Sequence, residues 1–275
     1  MIKLSGIERK TLLYKSNVEY ADYCINHIEG CAHGCRFPCY AFNLKKRAGV
    51  VRTYEDWIKP KIVVNALELL EKEIPKYKND IKTVHLCFST DPFMYGYDEV
   101  ADLSLKIIEI LNKNKIKVTV LTKGIYPKEL SNTKKFSDKN EYGITLVSLD
   151  PIFKKQFEPF AANYYDRIES LKFLHNKGLK AWVSMEPYPT PNLIHQNITS
   201  VLKEIPFVDK IIFGKLNYNI NVKKYLNYQD YFNSMTLKVI DFCGKNNKAY
   251  HIKKGTFNPI EQTYDIQNEP VLISL

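Results

Sequence analysis

KTVHLCFS at residues 82–89 and KVTVLT at residues 117–122 are β-rich runs, with an amphipathic helical pattern over residues 99–112 between them. Strand, helix, strand within about 40 residues is the signature of two parallel strands joined by a right-handed crossover. The pattern continues in both directions. Towards the C-terminus come YGITLVSL (142–149), a helix over 164–176 ending before Gly178, KAWVSM (180–185), a helix over 193–203 and DKIIF (209–213). A last helix over 231–245 and a further strand over 249–252 follow. Towards the N-terminus a helix covers 61–73, and another strand lies just before Glu29. The chain reads as α/β with about six repeats, and periodicity leaves open whether the sheet closes. In either case chemistry belongs at the C-terminal ends of the strands. The polar groups there are Thr90-Asp91-Pro92, Lys123-Gly124, Ser148 through Pro151 and Glu186 through Pro191.

Length and composition fit one soluble domain. The 275 residues are 45% hydrophobic, and no run approaches the roughly 18 apolar residues that span a bilayer. The opening MIKLSGIERKTLL has no sustained apolar core or small-residue cleavage site, so a cytoplasmic location without membrane association is expected. The six cysteines then read as thiols or metal ligands rather than disulfides. A net charge of +10 permits attraction to nucleic acid or another polyanion. The basic pairs Lys45-Lys46, Lys134-Lys135, Lys223-Lys224 and Lys253-Lys254 are scattered, as solvated faces usually are.

The densest chemical signal is GCAHGCRFPCYA at residues 30–41. Its cysteines, Cys31, Cys35 and Cys39, are spaced as on one helical face, but Gly30, Gly34 and Pro38 oppose a helix, so a tight loop with three converging thiols is expected. Such thiols fit two metals. Zinc would need a fourth ligand, with His33 or His27 nearest, and usually draws on paired C-x2-C cysteines. A [4Fe–4S] cluster held by three cysteines keeps one iron open to an external ligand. Cys24, Cys87 and Cys243 lie outside the loop and read as core.

The same loop resembles the cysteine loop of radical S-adenosylmethionine enzymes, and its flanks resemble the spore photoproduct lyase-like branch. That branch reads G-C-x-H-G-C-x-aromatic-C-Y-A, followed in order by strands ending T-D-P and L-T-K and by an E-P-x-A segment leading to an arginine. Here these are Thr90-Asp91-Pro92, Leu121-Thr122-Lys123 and Glu158-Pro159-Phe160-Ala161 leading to Arg167. The resemblance runs from about residue 26 to 213. One departure stands at its centre: C-x3-C-x3-C replaces C-x3-C-x2-C, with Pro38 as the extra residue.

The resemblance implies a partial (β/α)6 TIM-type barrel over about 22–214, with a C-terminal helical and strand extension over about 215–275, as a single domain. It implies a [4Fe–4S] cluster on Cys31, Cys35 and Cys39, S-adenosylmethionine as the second cofactor, and an external electron donor of flavodoxin or ferredoxin type. The substrate would give up a hydrogen to a 5′-deoxyadenosyl radical. Phe37 maps to the aromatic near adenine, displaced by one, and Tyr40 could take that role. Lys123 maps to the methionyl carboxylate, Thr90 and Asp91 to the methionyl amino group, Ser148 to ribose or carboxylate, and Glu186 to ribose hydroxyls. Arg167 pairs with Glu158 or contacts the ligand. Tyr95, Tyr97, Tyr188 and Tyr218 follow strands and could stack on bases, which would suit a nucleic-acid substrate. Relatives of this look are encoded beside a second radical enzyme on mobile elements, which adds a radical SAM partner protein to the expectations. Phe88 precedes Ser89 where the lyase carries its hydrogen-donor cysteine, so spore photoproduct repair itself is not expected. The alternative from another class is a non-catalytic nucleic-acid-binding protein with a structural zinc loop.

Overall fold

The computed structural model describes residues 4–18 and 20–258. Its strands are β1 (Ser5–Ile7), β2 (Leu13–Lys15), β3 (Tyr23–Ile25), β4 (Ile28–Glu29), β5 (Lys61–Val63), β6 (Thr83–Leu86), β7 (Lys117–Thr122), β8 (Glu141–Thr145), β9 (Lys180–Tyr188), β10 (Lys210–Lys215) and β11 (Ala249–Ile252). Its helices are α1 (Tyr40–Arg47), α2 (Tyr54–Trp57), α3 (Ala66–Tyr77), α4 (Asp98–Lys113), α5 (Pro151–Phe157), α6 (Tyr164–Asn176), α7 (Ile198–Lys203), α8 (Ile220–Lys223) and α9 (Tyr228–Lys245). The main sheet has the order β11-β10-β9-β8-β7-β6-β3-β2. It is parallel throughout, except that β2 runs antiparallel to β3. Six strands from β3 to β10 form the expected repeat, and β11 extends it. The part of the expected extension over 259–275 lies outside the described residues.

Strand alternation separates two faces. Val84, Val118, Val120, Tyr142, Ile144, Val183 and Ile211 are buried within the main hydrophobic core, where α3, α4, α6, α7 and α9 supply their own apolar faces. The opposite face turns inward. There the Tyr20 ring lies 5.1 Å from His85 on β6 and 5.3 Å from Trp182 on β9, and Phe88 stacks on His85 at 4.4 Å. Trp182 crosses over Gly143, where a Cβ would collide with the indole.

The sheet is strongly curled. Lys253, just past β11, holds its ammonium 5.2 Å from the Tyr20 ring, just before β3. Six inter-strand steps separate those strands, about 29 Å in a flat sheet at roughly 4.8 Å per step. The hydrogen-bonded ladder ends at β11 on one side and β2 on the other, so side chains bridge the gap.

Several elements differ from the sequence expectation. Residues 61–63, with β-branched Ile62 and Val63, are β5 rather than the first turn of a helix, because the segment pairs with both β1 and β4 in a small three-stranded sheet. Helix α7 starts at Ile198 instead of residue 193, where the Asn197 side chain caps it by accepting from Thr199 N–H. Strand β8 stops at Thr145, four residues before the expected end. Helix α5 was not foreseen, although Asp150 accepts from the N–H groups of Ile152 and Phe153 and Pro151 occupies the first turn.

Burial holds the His85 imidazole neutral, with its pKa lowered to about 3, and Nδ1 lies 2.7 Å from Thr119 Oγ1. A folded-state value below the unfolded value near 6.5 means that acid protonates the unfolded chain first. The His85 contribution to stability is therefore complete above about pH 6.5 and is lost as pH falls towards 3. Replacing His85 by Gln in the iron-free protein should flatten stability against pH in that window by up to about 1.4 kcal/mol per pH unit. Urea unfolding across the window measures it, and parallel curves for both proteins would contradict the assignment.

Candidate active site

The cysteine segment is a loop, and its glycines explain why. Gly30 and Gly34 have φ of +86° and +64°, and a Cβ at either would press on the Trp57 carbonyl or the Phe160 ring. Contacts from several elements hold the loop. Cys31 N–H donates to Trp57 O at 2.9 Å, Arg36 N–H to Phe157 O at 2.8 Å, and Phe160 N–H to His33 O at 3.2 Å. The Tyr54 hydroxyl donates to Cys35 O at 2.6 Å. The loop ends where Cys39 begins α1.

The six thiols divide as the sequence suggests. Cys24, Cys87 and Cys243 are buried, whereas Cys31, Cys35 and Cys39 are half-buried and lie within one another's electrostatic reach. Burial pushes the Cys31 thiol well up and the Cys35 thiol to about 11, with Lys123 opposing the shift at Cys35. Among the described residues, no three His, Cys, Asp or Glu side chains gather closely enough to hold a single metal ion. A [4Fe–4S] cluster asks for something different: each cysteine binds a separate iron, so the thiols must face a common space rather than a common point. The chemistry of this donor set fits that requirement.

Both histidines that could have completed a zinc site are engaged elsewhere. His33 Nε2 accepts from Tyr95 N–H at 3.0 Å, which leaves Nδ1 protonated and directed at Asp91, 3.4 Å away. His27 contacts Ser104 Oγ at 2.7 Å through Nε2 and Cys87 Sγ at 3.5 Å through Nδ1. Burial lowers the His33 value to about 4 and the His27 value to about 3, so both stay neutral.

Lys123, at the end of β7, reaches the loop. Its Nζ lies 3.4 Å from Cys35 Sγ, 2.8 Å from Glu158 Oε1 and 5.0 Å from the centre of the Phe37 ring. The other Glu158 oxygen meets Arg167 at 2.7 Å, and Arg167 also donates to the Ala162 and Thr145 carbonyls. Burial alone would raise the Glu158 carboxyl, but Arg167 and Lys123 together pull it down to about 2. Burial works against the Lys123 charge, but Cys35 and Glu158 outweigh it and raise the ammonium's value.

Other expected site residues take different positions. Asp91 is buried and its carboxylate is committed to the protein, accepting from Phe93 N–H, Thr122 Oγ1 and Lys123 N–H. It ties the ends of β6 and β7 to the cysteine loop. Ser148 is buried and caps a turn by accepting from Asp150 N–H. Phe37 is buried between Phe153 and Phe157, whereas Tyr40 is 54% exposed on the first turn of α1. Thr90 is half-buried with its hydroxyl near Ile28 O. Glu186 meets Lys253 at 3.6 Å, a partner that lies 67 residues away and that no local pattern announced. Tyr188 is fully buried against Phe213 and cannot stack on a base, while Tyr95 and Tyr218 remain exposed. Cys87 faces a small core with Ile28, Ala32, Met94 and Val100.

Comparisons with known proteins bear on the family and the fold. The chain is 26% identical over 218 residues to an uncharacterised protein of Methanocaldococcus jannaschii, covering 78% of each. It is 25% identical over 192 residues to a protein of Acidianus two-tailed virus, covering 66% of this chain and 61% of the viral one. Its fold is similar to spore photoproduct lyase complexed with dinucleoside spore photoproduct, with a TM-score of 0.64 at 15% identity over 90% of this chain and 81% of the lyase. A lyase variant with bound S-adenosylmethionine and the same dinucleoside gives 0.63 at 14% identity, covering 90% and 80%. No helix among the described residues is long and apolar enough to cross a membrane. The radical SAM superfamily model matches residues 25–204, from β3 to the end of α7. With that match over well more than half its length, and with a cysteine loop at the C-terminal ends of parallel strands, the chain belongs to the radical SAM superfamily.

Proposed function

We propose that Cys31, Cys35 and Cys39 hold a [4Fe–4S] cluster whose open iron takes S-adenosylmethionine, in a single-domain radical SAM enzyme. The observation that carries this reading is the contrast among the cysteines. Three half-buried thiols share one loop with Lys123 at 3.4 Å from Cys35 Sγ, while the other three are in the core. When bound, the cluster supplies one electron that cleaves the C5′–S bond, giving methionine and a 5′-deoxyadenosyl radical that takes a hydrogen from substrate.

The protein's own residues position the reactants. Lys123 supplies the charge for the methionyl carboxylate, a charge-assisted contact, and Thr90, at the end of the neighbouring strand, serves the amino group. Tyr40, with its ring at the surface, takes the adenine contact, since Phe37 is committed to the α5 core. Glu186, held by Lys253, serves the ribose hydroxyls. Asp91, Ser148 and Arg167 act from behind as positioning residues.

The substrate reading is a nucleic acid or its component. The +10 charge, the exposed Tyr95 and Tyr218, and the fold likeness to a lyase that binds a dinucleoside support it. An external electron donor completes the scheme, and a second radical SAM protein is a further partner. The test is anaerobic reconstitution followed by reduction with dithionite in the presence of S-adenosylmethionine. Methionine and 5′-deoxyadenosine should appear in equal amounts. A fully loaded, reduced cluster that yields neither would overturn the reading.

A further inference from the structure

We infer that α5 and the turn after it, together with Arg36, form the docking face for an acidic one-electron carrier protein; this rests on the cluster assignment above. The argument begins with how α5 is amphipathic. Phe153 and Phe157 are buried on one side and stack on Phe37 of the cysteine loop. The other side presents Ile152, 76% exposed, and Lys155, neighbours at i and i+3. Just beyond, Phe160 is 58% exposed with its ring against Gly34. Arg36, also exposed, joins this edge through its N–H on Phe157 O. The result is two large apolar side chains at the surface beside two exposed cations.

Its position gives this face a use. Arg36 directly follows Cys35, so a molecule resting here is one residue from a cluster thiolate. Tyr40 and Glu186, within electrostatic reach of each other and of Lys253, belong to the ligand-binding rim proposed above. The exposed charged side chains of this face are Arg36 and Lys155, with half-buried Lys154 beside them and the half-buried Asp150 capping the start of α5. Exposed apolar groups with a basic rim suit a small, transient redox contact with an acidic partner. In the transfer the carrier loses one electron and the cluster gains one, with no group transferred.

The experiment uses the reconstituted full-length protein and a reduced flavodoxin of strongly negative net charge. The rate of cluster reduction is followed by loss of its visible absorbance at low and high ionic strength. The double substitution Arg36→Glu with Lys155→Glu should slow reduction by flavodoxin at low salt roughly tenfold or more, with reduction by dithionite unchanged. The same charge reversal at Lys134 and Lys135, exposed near the start of β8, should leave both rates alone. Equal flavodoxin rates for parent and double variant would overturn the inference. So would a variant that keeps its flavodoxin rate but loses binding to single-stranded DNA, which would assign the face to nucleic acid. Failure of the cluster assignment would appear separately, as absent iron and no reduction by dithionite.

Discussion

Replacing Cys31, Cys35 and Cys39 together by alanine is expected to remove all cluster iron and sulfide from the reconstituted protein, and with them every trace of S-adenosylmethionine cleavage. Cys31 and Cys35 sit half-buried at the edge of the core, so urea unfolding of the iron-free variant should fall below that of the iron-free parent by less than a fully buried substitution would cost. Alanine at Cys24 and Cys243 should do the reverse. Both are buried, so their loss weakens packing, yet the iron content should be preserved. Iron and sulfide analysis beside an unfolding curve separates the two classes. A triple variant that retains a full complement of iron would place the cluster on other ligands.

The second large effect concerns Glu158. It has no exposed surface, and each carboxylate oxygen meets a different cation, Lys123 on one side and Arg167 on the other. Alanine at this position would leave the Lys123 ammonium, next to Cys35, and the buried Arg167 guanidinium without the carboxylate they share. Breaking a buried pair by removing one member costs about 3–5 kcal/mol, and that loss is expected in the urea midpoint of the iron-free protein at constant slope. Glu158→Gln keeps the shape and part of the hydrogen bonding and should fall between parent and alanine. A loss for alanine below about 1 kcal/mol would mean that Lys123 and Arg167 find other partners on relaxation.

What the sequence revealed and what it hid follow from the range of the interactions. The runs at 117–122, 164–176 and 249–252 coincide with β7, α6 and β11 because local periodicity and capping suffice to define them. The cysteine loop was legible because glycine and proline forbid a helix whatever surrounds them. Helix α5 was also written locally, in Asp150 and Pro151, but the segment was read as polar loop chemistry. Phe37 and Tyr188 were left open by the sequence for a different reason. An aromatic beside a functional motif is equally suited to a ligand or to the core, and only the stacking on Phe153, Phe157 and Phe213 decides between them. The Glu186–Lys253 and Tyr20–Lys253 contacts leave no local trace, because the curl of the whole sheet creates them.

That curl has a mechanical consequence. A barrel closed by a backbone ladder is a hoop of uniform stiffness, and widening it breaks a row of hydrogen bonds at once. Here the ladder stops at β11 and β2, and the Lys253 ammonium over the Tyr20 ring spans the gap. A cation–π contact of this kind is worth about 0.5–1 kcal/mol at an exposed site, far less than a strand pairing. Strain on the hoop therefore concentrates at that seam, so the wall yields sideways between β11 and β3 while the arc of β7, β8 and β9, with Lys123 just past β7, keeps its shape. Opening at the seam would then require no backbone ladder of the main sheet to break.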